Sequence, residues 1–303
     1  MKKQLVGIIG PLAGLLVICI GLTIMSDVFL TVDNFRNIAN QVAVNLILAS
    51  GATLVIILAG IDLSVGSLLA LAGAVAGKCV LQWGVPAGIA AGLLVGMVGG
   101  LFNGSIISYG RVAPFIVTLG SMTILRSLTL VFTGGRPISN YPDSFHFIGE
   151  GSMPLFIAAA VVIVCFGLLM FTRFGRYIYA IGGNEDASRL SGINVRLNKM
   201  VVYVIAGLLA GVGSIVYISR LDSAQPQAGV GFELDAIAAV VIGGTSLSGG
   251  QGGILGTLLG ALIIGVLHNG LNLMEVSAFW QQAFIGSVII IAVLIDQLRK
   301  RGR

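Results

Sequence analysis

Residues 173–199 read RFGRYIYAIGGNEDASRLSGINVRLNK, a polar stretch that lies between two long apolar runs. The stretch carries five of the chain's 17 basic residues: Arg173, Arg176, Arg189, Arg196 and Lys199. The sequence on either side is apolar over lengths that fit a membrane crossing. We expect this segment to be a loop, and a polar loop between two apolar runs predicts a contact surface for something outside the membrane. We therefore expect a subunit of a larger assembly.

The composition of the whole chain points to lipid as its main solvent. Of 303 residues, 56% are hydrophobic and only 10% are charged, and the mean hydropathy is +1.02. Soluble proteins usually carry about 25% charged residues, so this chain has too few charges to cover a globular surface in water. The net charge of +5 is modest. Because the basic residues lie mainly at the ends of apolar runs, they indicate orientation in a membrane and predict no nucleic-acid partner.

Ten apolar runs predict an all-α membrane protein with about ten transmembrane helices in a single transmembrane domain, residues 1–303. Irregular backbone cannot face lipid, so each run is expected to be a helix or a re-entrant piece buried in protein. The first run is too long for a signal peptide and is interpreted as an uncleaved span. The eighth is short for a full crossing. The runs are 5–25, 38–59, 64–82, 86–108, 114–133, 153–172, 200–219, 234–247, 251–272 and 277–296.

The distribution of basic residues predicts that both termini face the cytoplasm, because loops on that side are enriched in Lys and Arg. With the N-terminus inside, 12 of the 17 basic residues fall on the cytoplasmic side, and so does the 173–199 stretch. The twelve are Lys2, Lys3, Arg111, Arg173, Arg176, Arg189, Arg196, Lys199, Arg299, Lys300, Arg301 and Arg303.

Glycine recurs every fourth residue along the fourth run, at Gly88, Gly92, Gly96, Gly100 and Gly104. A stripe without side chains lets a second helix approach closely, which is the usual role of this pattern in membranes. We therefore predict tight helix packing here, in preference to ligand binding. The same spacing recurs in two pairs, Gly207 with Gly211 and Gly256 with Gly260.

Residues 247–251 spell LSGGQ, the signature motif of ATP-binding cassette ATPases. A nucleotide site would also need a Walker A loop, whose backbone amides and lysine hold the phosphates, and the sequence contains none. We interpret LSGGQ as a tight turn between spans that coincides with the motif. The chain is thus expected to bind no cofactor and to have no ATPase site of its own.

Five polar residues in or near the spans are candidates for a solute pathway or its gate: Asp62, Asn103, Arg126, Asn269 and Asn272. Each has a structural alternative. Asp62 or Ser64 is a suitable N-cap for the third helix. Arg126 is costly at membrane depth, which favours a function or a pairing with a carboxylate or with helix-end carbonyls. The asparagines either contact solute or tie helices together.

Catalytic and metal sites are not expected. Nothing in the sequence resembles a nucleophile with its base or a pair of catalytic carboxylates. His268 has no second His or Cys at ligand spacing. Cys19, Cys79 and Cys165 show neither a pairing pattern nor metal-ligand spacing, so they are interpreted as small apolar residues.

Four segments together resemble the permease subunits of bacterial ABC sugar importers. They are GIDLSVGSLLALAGAVAG (60–77), GRYIYAIGGNEDASRLSGINV (175–195), SAQPQAGVGFELDAIAAVVIGGTSLSGG (223–250) and GTLLGALIIGVLHNGLNL (256–273). The likeness extends over nearly all of the chain, and ribose permeases are the most similar members. It implies the ABC importer permease fold, a place in the bacterial inner membrane, and import of ribose or a similar monosaccharide by alternating access.

The resemblance also implies partners. Family members pair two permease subunits, dock two copies of a cytoplasmic ATPase that uses ATP and Mg²⁺, and receive sugar from a periplasmic or extracellular binding protein. Within 173–199, the residues that match the family's ATPase-coupling segment are Gly182, Gly183, Asn184, Glu185, Ala187, Ser191, Gly192 and Ile193. Where members often carry a basic residue after the two glycines near 250, this chain has Gln251.

Three other functions compete with this interpretation. An ion-coupled secondary transporter would need carboxylates deep within spans, whereas Asp62, Asp235 and Asp296 lie near span ends. A branched-chain amino-acid ABC permease would need charged groups that complement a zwitterion. A membrane-embedded enzyme would need a catalytic constellation. Solute identity and stimulation of the ATPase by a binding protein distinguish these alternatives.

Overall fold

The computed structural model describes residues 2–277, 280–288, 290 and 294, with side chains from residue 10 onward. Its regular elements are helices and one short strand pair. The helices are α1 Lys2–Met25, α2 Val32–Ile57, α3 Val65–Trp83, α4 Val85–Tyr109, α5 Pro114–Thr133, α6 Asp143–His146, α7 Met153–Phe171, α8 Arg173–Gly183, α9 Glu185–Leu190, α10 Val195–Leu221, α11 Phe232–Ile242 and α12 Ile254–Leu273. The strands β1, Ile138–Ser139, and β2, Ser223–Ala224, pair antiparallel, with Ile138 opposite Ala224.

Seven of these helices are long and apolar enough to cross a membrane: α2, α3, α4, α5, α7, α10 and α12. In α1, residues Gly10–Met25 form a shorter apolar stretch. The tenth predicted run, 277–296, is helical at 280–288. Its positions 278, 279, 289, 291–293, 295 and 296 lie outside the described residues.

The eighth predicted run, 234–247, is not a full crossing. Helix α11 has 11 residues, which at ~1.5 Å per residue give roughly 16 Å, about half of a bilayer core. It ends at Gly243, and Gly244 follows with a φ of 88°. Because a helix cannot continue through a left-handed residue, the chain turns there and leads into α12.

The polar stretch 173–199 is largely helical, although the sequence suggested a loop. Thr172 caps α8 by accepting a hydrogen bond from the Gly175 backbone N–H at 3.1 Å. Asn184 ends α8 and caps α9. The sequence therefore forms two short helices with a sharp bend at Asn184, and we call residues 173–193 the elbow.

Helix α10 runs through the core and packs against α2, α3 and α4. The predicted close approach along the glycine stripe is confirmed. Gly96 and Gly100 on α4 lie directly against backbone carbonyls of Gly207 and Tyr203 on α10, with no space for a Cβ. Gly260 on α12 meets the backbone of Ala239 on α11 in the same way. Glycines thus let the helices of this bundle pack backbone against backbone, and the half-length helix α11 packs in the same way.

Six described basic residues gather at one end of the bundle, which we call the basic end: Arg111, Arg173, Arg176, Arg189, Arg196 and Lys199. The elbow lies there, beside the turn that joins α4 to α5 and the end of α2. At the opposite end, the segment after α5 meets the end of α10. The Tyr141 N–H donates to Asp222 Oδ1 there at 2.9 Å.

Candidate functional site

The bend in the elbow is fixed by capping at both ends of α9. Asn184 Oδ1 accepts a hydrogen bond from the Ala187 N–H at 2.9 Å. At the other end Gly192 adopts a φ of 82°, and the Gly192 and Ile193 N–H groups donate to Arg189 O and Ser188 O at 3.0 and 3.1 Å. This is a Schellman motif, which favours glycine at the left-handed position. The sequence NEDASRLSGI therefore specifies one defined turn of helix.

Glu185 anchors α9 to the start of α10. Its carboxylate accepts hydrogen bonds from Lys199 Nζ at 2.6 Å and from Arg189 Nη2 at 3.0 Å. Partial burial alone would raise the pKa of Glu185, but the two cations, Lys199 foremost, hold that pKa below its ordinary value. Glu185 is thus ionised at neutral pH and joins α9 to α10.

The inner side of the elbow packs on the transmembrane bundle through backbone atoms. Gly182 lies against Ile57 O, at the end of α2, and against the Gly250 N–H, which itself donates to Ile57 O at 2.8 Å. Tyr179 Oη donates to Gly252 O at 2.9 Å. One face of the elbow therefore contacts both the end of α2 and the turn that precedes α12.

The outer side of the elbow is open. Of the residues predicted as the coupling segment, Gly183, Asn184, Ala187, Ser191 and Gly192 are exposed, while Gly182, Glu185 and Ile193 are half-buried. Leu190 was not among the predicted residues, yet it is 90% exposed at the end of α9. A single large apolar residue in the polar run EDASRLSG was the available signal. A single exposed apolar residue is common on protein surfaces, so Leu190 by itself identifies no partner.

LSGGQ forms a glycine turn, as predicted. Gly249 and Gly250 adopt φ values of 79° and 71°, and both lie against the elbow at Gly182 and Gly183. The turn lies between α11 and α12 and has helices on both sides. Glycines are needed in this turn because its backbone lies directly against the elbow.

Two of the five pathway candidates belong to one buried polar network. Asp62 Oδ1 accepts from the Ser64 N–H at 2.9 Å and from Ser64 Oγ at 2.6 Å. Asn103 Nδ2 donates to Ser64 Oγ at 2.8 Å, and Ser121 Oγ donates to Asn103 Oδ1. All four residues are buried. The network connects the start of α3 to α4 and α5.

The interpretation of Asp62 or Ser64 as a side-chain cap of α3 is wrong. Ser64 occupies the N-cap position, but no side chain accepts a hydrogen bond from the first turn of α3. The reason is that Asp62 and Ser64 bond to each other, and the Ser64 hydroxyl also accepts from Asn103. The two side chains therefore connect helices.

Arg126 pairs with backbone carbonyls. Its Nη1 donates to Pro226 O at 2.8 Å and to Ala228 O at 2.7 Å. These bonds hold the segment before α11 against α5, and this segment in turn brings Gly229 against Gly66 at the start of α3. The starts of α3 and α11 thus meet within the bundle, through glycines that leave no space for side chains.

Asn269 and Asn272 lie apart from that network. Asn269 and Asn34 exchange two amide hydrogen bonds, of 2.7 and 3.0 Å, which connect α12 to α2. Asn272 Oδ1 accepts from Gln281 Nε2 at 2.8 Å. Asp62 and Asn103 thus share one network, whereas Arg126, Asn269 and Asn272 are bonded elsewhere in the bundle. Within the described residues no cluster of three or more His, Cys, Asp or Glu side chains could hold a metal ion.

Comparison with known proteins agrees with this architecture. Residues 34–293 match the family model described as branched-chain amino acid transport system / permease component. The ribose import permease protein of Escherichia coli (strain K12) is 48% identical, with 95% of this chain and 93% of that protein covered. The corresponding protein of Bacillus subtilis (strain 168) is 49% identical, with 95% and 92% covered. The D-allose transport system permease protein of Escherichia coli (strain K12) is 38% identical, with 90% and 86% covered.

These matches extend over nearly the whole chain, so the chain belongs to this family of ABC transport-system permease components. It is a transport subunit and not an enzyme. It is a multi-pass protein of the bacterial inner membrane, in keeping with its seven helices that could span a bilayer.

Proposed function

We propose that this chain imports ribose or a similar monosaccharide as the membrane-spanning subunit of an ATP-driven importer. The sugar class rests on the ribose and D-allose permeases to which the chain is similar. The choice of ribose rests on the higher identity, 48–49% against 38% for the D-allose protein. A separate ATPase subunit supplies the energy, using ATP and Mg²⁺.

The elbow is the observation that carries the coupling mechanism. Its outer side presents Leu190 and the capped helix α9, which suits a groove on a cytoplasmic ATPase. Its inner side lies against the end of α2 and the turn before α12 through backbone atoms. Contacts between backbones leave little freedom to deform, so a movement of α9 is expected to displace both helices. ATP-driven closure of the ATPase would thus switch the side of the membrane to which the passage is open.

The orientation that fits this mechanism places the basic end in the cytoplasm. Six described basic residues lie at that end, and cytoplasmic loops are enriched in Lys and Arg. Both termini then face the cytoplasm, with about ten membrane-crossing or re-entrant helices in one permease domain. A second copy of the permease would complete the passage, and a periplasmic or extracellular binding protein would deliver sugar at the opposite end.

We infer that the buried network of Asp62, Ser64, Asn103 and Ser121 is part of the inner gate. The network holds the start of α3 at the place where Gly66 meets Gly229. A neutral sugar needs hydrogen-bonding groups and apolar walls and no charged trap. Arg126 supports this arrangement through its bonds to the segment before α11, whereas Asn269 and Asn272 tie helices together elsewhere in the bundle.

Reconstitution tests the function directly. The chain, its cognate ATPase and its cognate binding protein are placed in proteoliposomes, and uptake of labelled ribose is measured with and without ATP. Uptake that needs both partners and ATP is the expected result. Uptake driven by an ion gradient without ATP would overturn the proposal.

The family description makes branched-chain amino acids the second candidate solute. The same proteoliposomes are therefore offered ribose, allose and leucine, each with the binding protein present. Transport of leucine without transport of either sugar would assign the chain to the amino-acid branch. Transport of allose in preference to ribose would keep the importer and change the solute.

A further inference from the structure

A polar cavity lies at the basic end, where the turn between α4 and α5 meets α9 and the start of α10. It is partly open to the outside and has a volume of about 390 Å³. The side chains that matter for its chemistry are Ser108, Arg111, Glu185, Arg189, Arg196 and Lys199. It is separate from the outer side of the elbow, which carries Leu190.

The cavity is strongly cationic. Four basic residues and one acidic residue line it, so the formal charge is +4 − 1 = +3. Glu185 pairs with Arg189 and Lys199. Among the residues that the structure describes, no carboxylate pairs with Arg111 or Arg196. Two guanidinium groups therefore remain available, and their planar forks match the oxygens of a phosphate.

Ser108 is an independent sign of a ligand. It lines the cavity, it is only 5% exposed, and its hydroxyl has no hydrogen-bond partner in the described part of the chain. A buried hydroxyl without a partner is costly. The oxygen itself has almost no accessible surface, so an anion in the cavity would accept that hydrogen bond once the Ser108 side chain turns toward it. The N-terminus of α5 begins at Pro114 on the cavity wall, and its dipole adds a further attraction for negative charge.

The surroundings of the cavity favour a lipid over a soluble anion. Just beyond its wall, Phe115 and Ile116 on α5 are 51% and 62% exposed, and Tyr109 ends α4 with 56% exposure. These apolar side chains lie at the ends of membrane-spanning helices, where acyl chains are within reach. Basic pockets between helices at a membrane surface are a known setting for anionic headgroups.

We propose that this cavity binds the phosphate of an anionic phospholipid, with Arg111, Arg196 and Ser108 as its donors. Because Lys199 and Arg189 line the same cavity and also hold Glu185, lipid binding would bear on the position of α9. The inference concerns lipid binding by this chain and does not depend on which solute is transported.

Native mass spectrometry of the purified full chain tests the site. The chain in detergent is titrated with phosphatidylglycerol, with zwitterionic phosphatidylcholine and with inorganic phosphate. We expect retention of phosphatidylglycerol over phosphatidylcholine. In the double variant Arg111→Ala with Arg196→Ala, affinity for phosphatidylglycerol should fall about tenfold or more, since each basic group near an anionic headgroup contributes appreciably. Ser108→Ala should reduce it by a smaller factor.

The control is the double variant Arg173→Ala with Arg176→Ala, which removes two exposed basic residues of the elbow that lie outside the cavity. It should retain phosphatidylglycerol like the unsubstituted chain. The double variant Arg111→Lys with Arg196→Lys keeps both positive charges and controls for a folding defect in the alanine variant. We expect its affinity for phosphatidylglycerol to lie between those of the alanine variant and the unsubstituted chain.

Three outcomes would overturn the proposal. One is equal retention of the two lipids. Another is phosphate binding without lipid binding, which would assign the cavity to a soluble anion. The third is weaker docking of the ATPase in the Arg111 and Arg196 variants with unchanged lipid retention, which would assign the cavity to an acidic protein surface.

Discussion

Gly182 has no space for a side chain, because Ile57 O and the Gly250 N–H occupy the position of its Cβ. The next residue, Gly183, is also helical, but a Cβ there would meet open space. Gly182→Ala should therefore destabilise the protein by about 1–3 kcal/mol, the usual range for overpacking. It should also lower sugar uptake per ATP hydrolysed. Thermal unfolding in detergent and coupled transport assays measure the two effects.

Gly183→Ala is the matched control for this prediction, since it adds the same methyl group one position along the chain. Its stability should equal or slightly exceed that of the unsubstituted chain, because alanine is the better helix former. Equal losses of stability and of coupled uptake in the two variants would mean that the backbone contact at Gly182 does not matter. The elbow would then transmit movement through other residues.

Glu185 offers a test by pH at the same scale. Its side chain is 39% exposed, so Glu185→Gln should cost less than about 1 kcal/mol at neutral pH. The pKa of Glu185 lies below its ordinary value of 4.5 in the folded chain. The carboxylate therefore contributes its stability above pH 4.5 and loses it as the pH falls through the folded-state pKa.

Unfolding midpoints of the unsubstituted chain and of Glu185→Gln, measured across this pH range, give the comparison. The two midpoints should differ by a constant amount near neutral pH and converge below pH 4.5. A difference that widens with falling pH would contradict the assignment of Glu185 as an ionised partner of Lys199 and Arg189.

At the scale of elements, the contact between α4 and α10 depends on glycines that face backbone. Gly96 on α4 lies against Gly207 O and Gly211 N of α10. Gly96→Leu should separate the two helices and cost about 3 kcal/mol or more, because backbone cannot yield as a flexible side chain does. Gly120→Leu on α5 is the control, since its Cβ would meet open space on an exposed face.

Midpoints of thermal unfolding and yields of monodisperse protein in detergent distinguish the two leucine variants. Gly120→Leu should behave like the unsubstituted chain. If Gly96→Leu were equally well tolerated, the four-residue glycine repeat would have no packing role.

Element type followed from the sequence wherever hydropathy alone decides it. Long apolar runs such as 114–133 and 153–172 match α5 and α7 almost to the residue. The elbow was expected as a loop because it is polar, yet local capping by Thr172 and Asn184 makes it helical. Residues 234–247 were counted as a span because they are apolar, yet left-handed glycine ends α11 after 11 residues. Capping and glycine conformation are local signals that hydropathy does not register.

For the whole molecule, the sequence predicted a bundle of apolar helices with glycine-lined contacts, and the fold agrees. It could not predict which distant segments meet. The contact of Gly182 with Ile57 and Gly250 joins three parts of the chain, and the bonds of Arg126 to Pro226 and Ala228 cross 100 residues or more. Such contacts are set by tertiary packing, so the candidates Asp62 and Asn103 proved to be neighbours while Asn269 and Asn272 lie apart from them.

Orientation is the property of the whole molecule on which coupling depends, and cysteine labelling tests it. Asp186 at the basic end and Glu150 at the opposite end are both exposed. In intact spheroplasts, Glu150→Cys should react with a membrane-impermeant maleimide, whereas Asp186→Cys should react only after the membrane is permeabilised. The unsubstituted chain is the control, because Cys79 and Cys165 are buried and Cys19 lies within α1. Labelling of Asp186→Cys from outside would place the basic end on the outer side of the membrane. That placement would contradict the rule that positive charge stays in the cytoplasm. An ATPase could then not reach the elbow, and the coupling mechanism would fail with it.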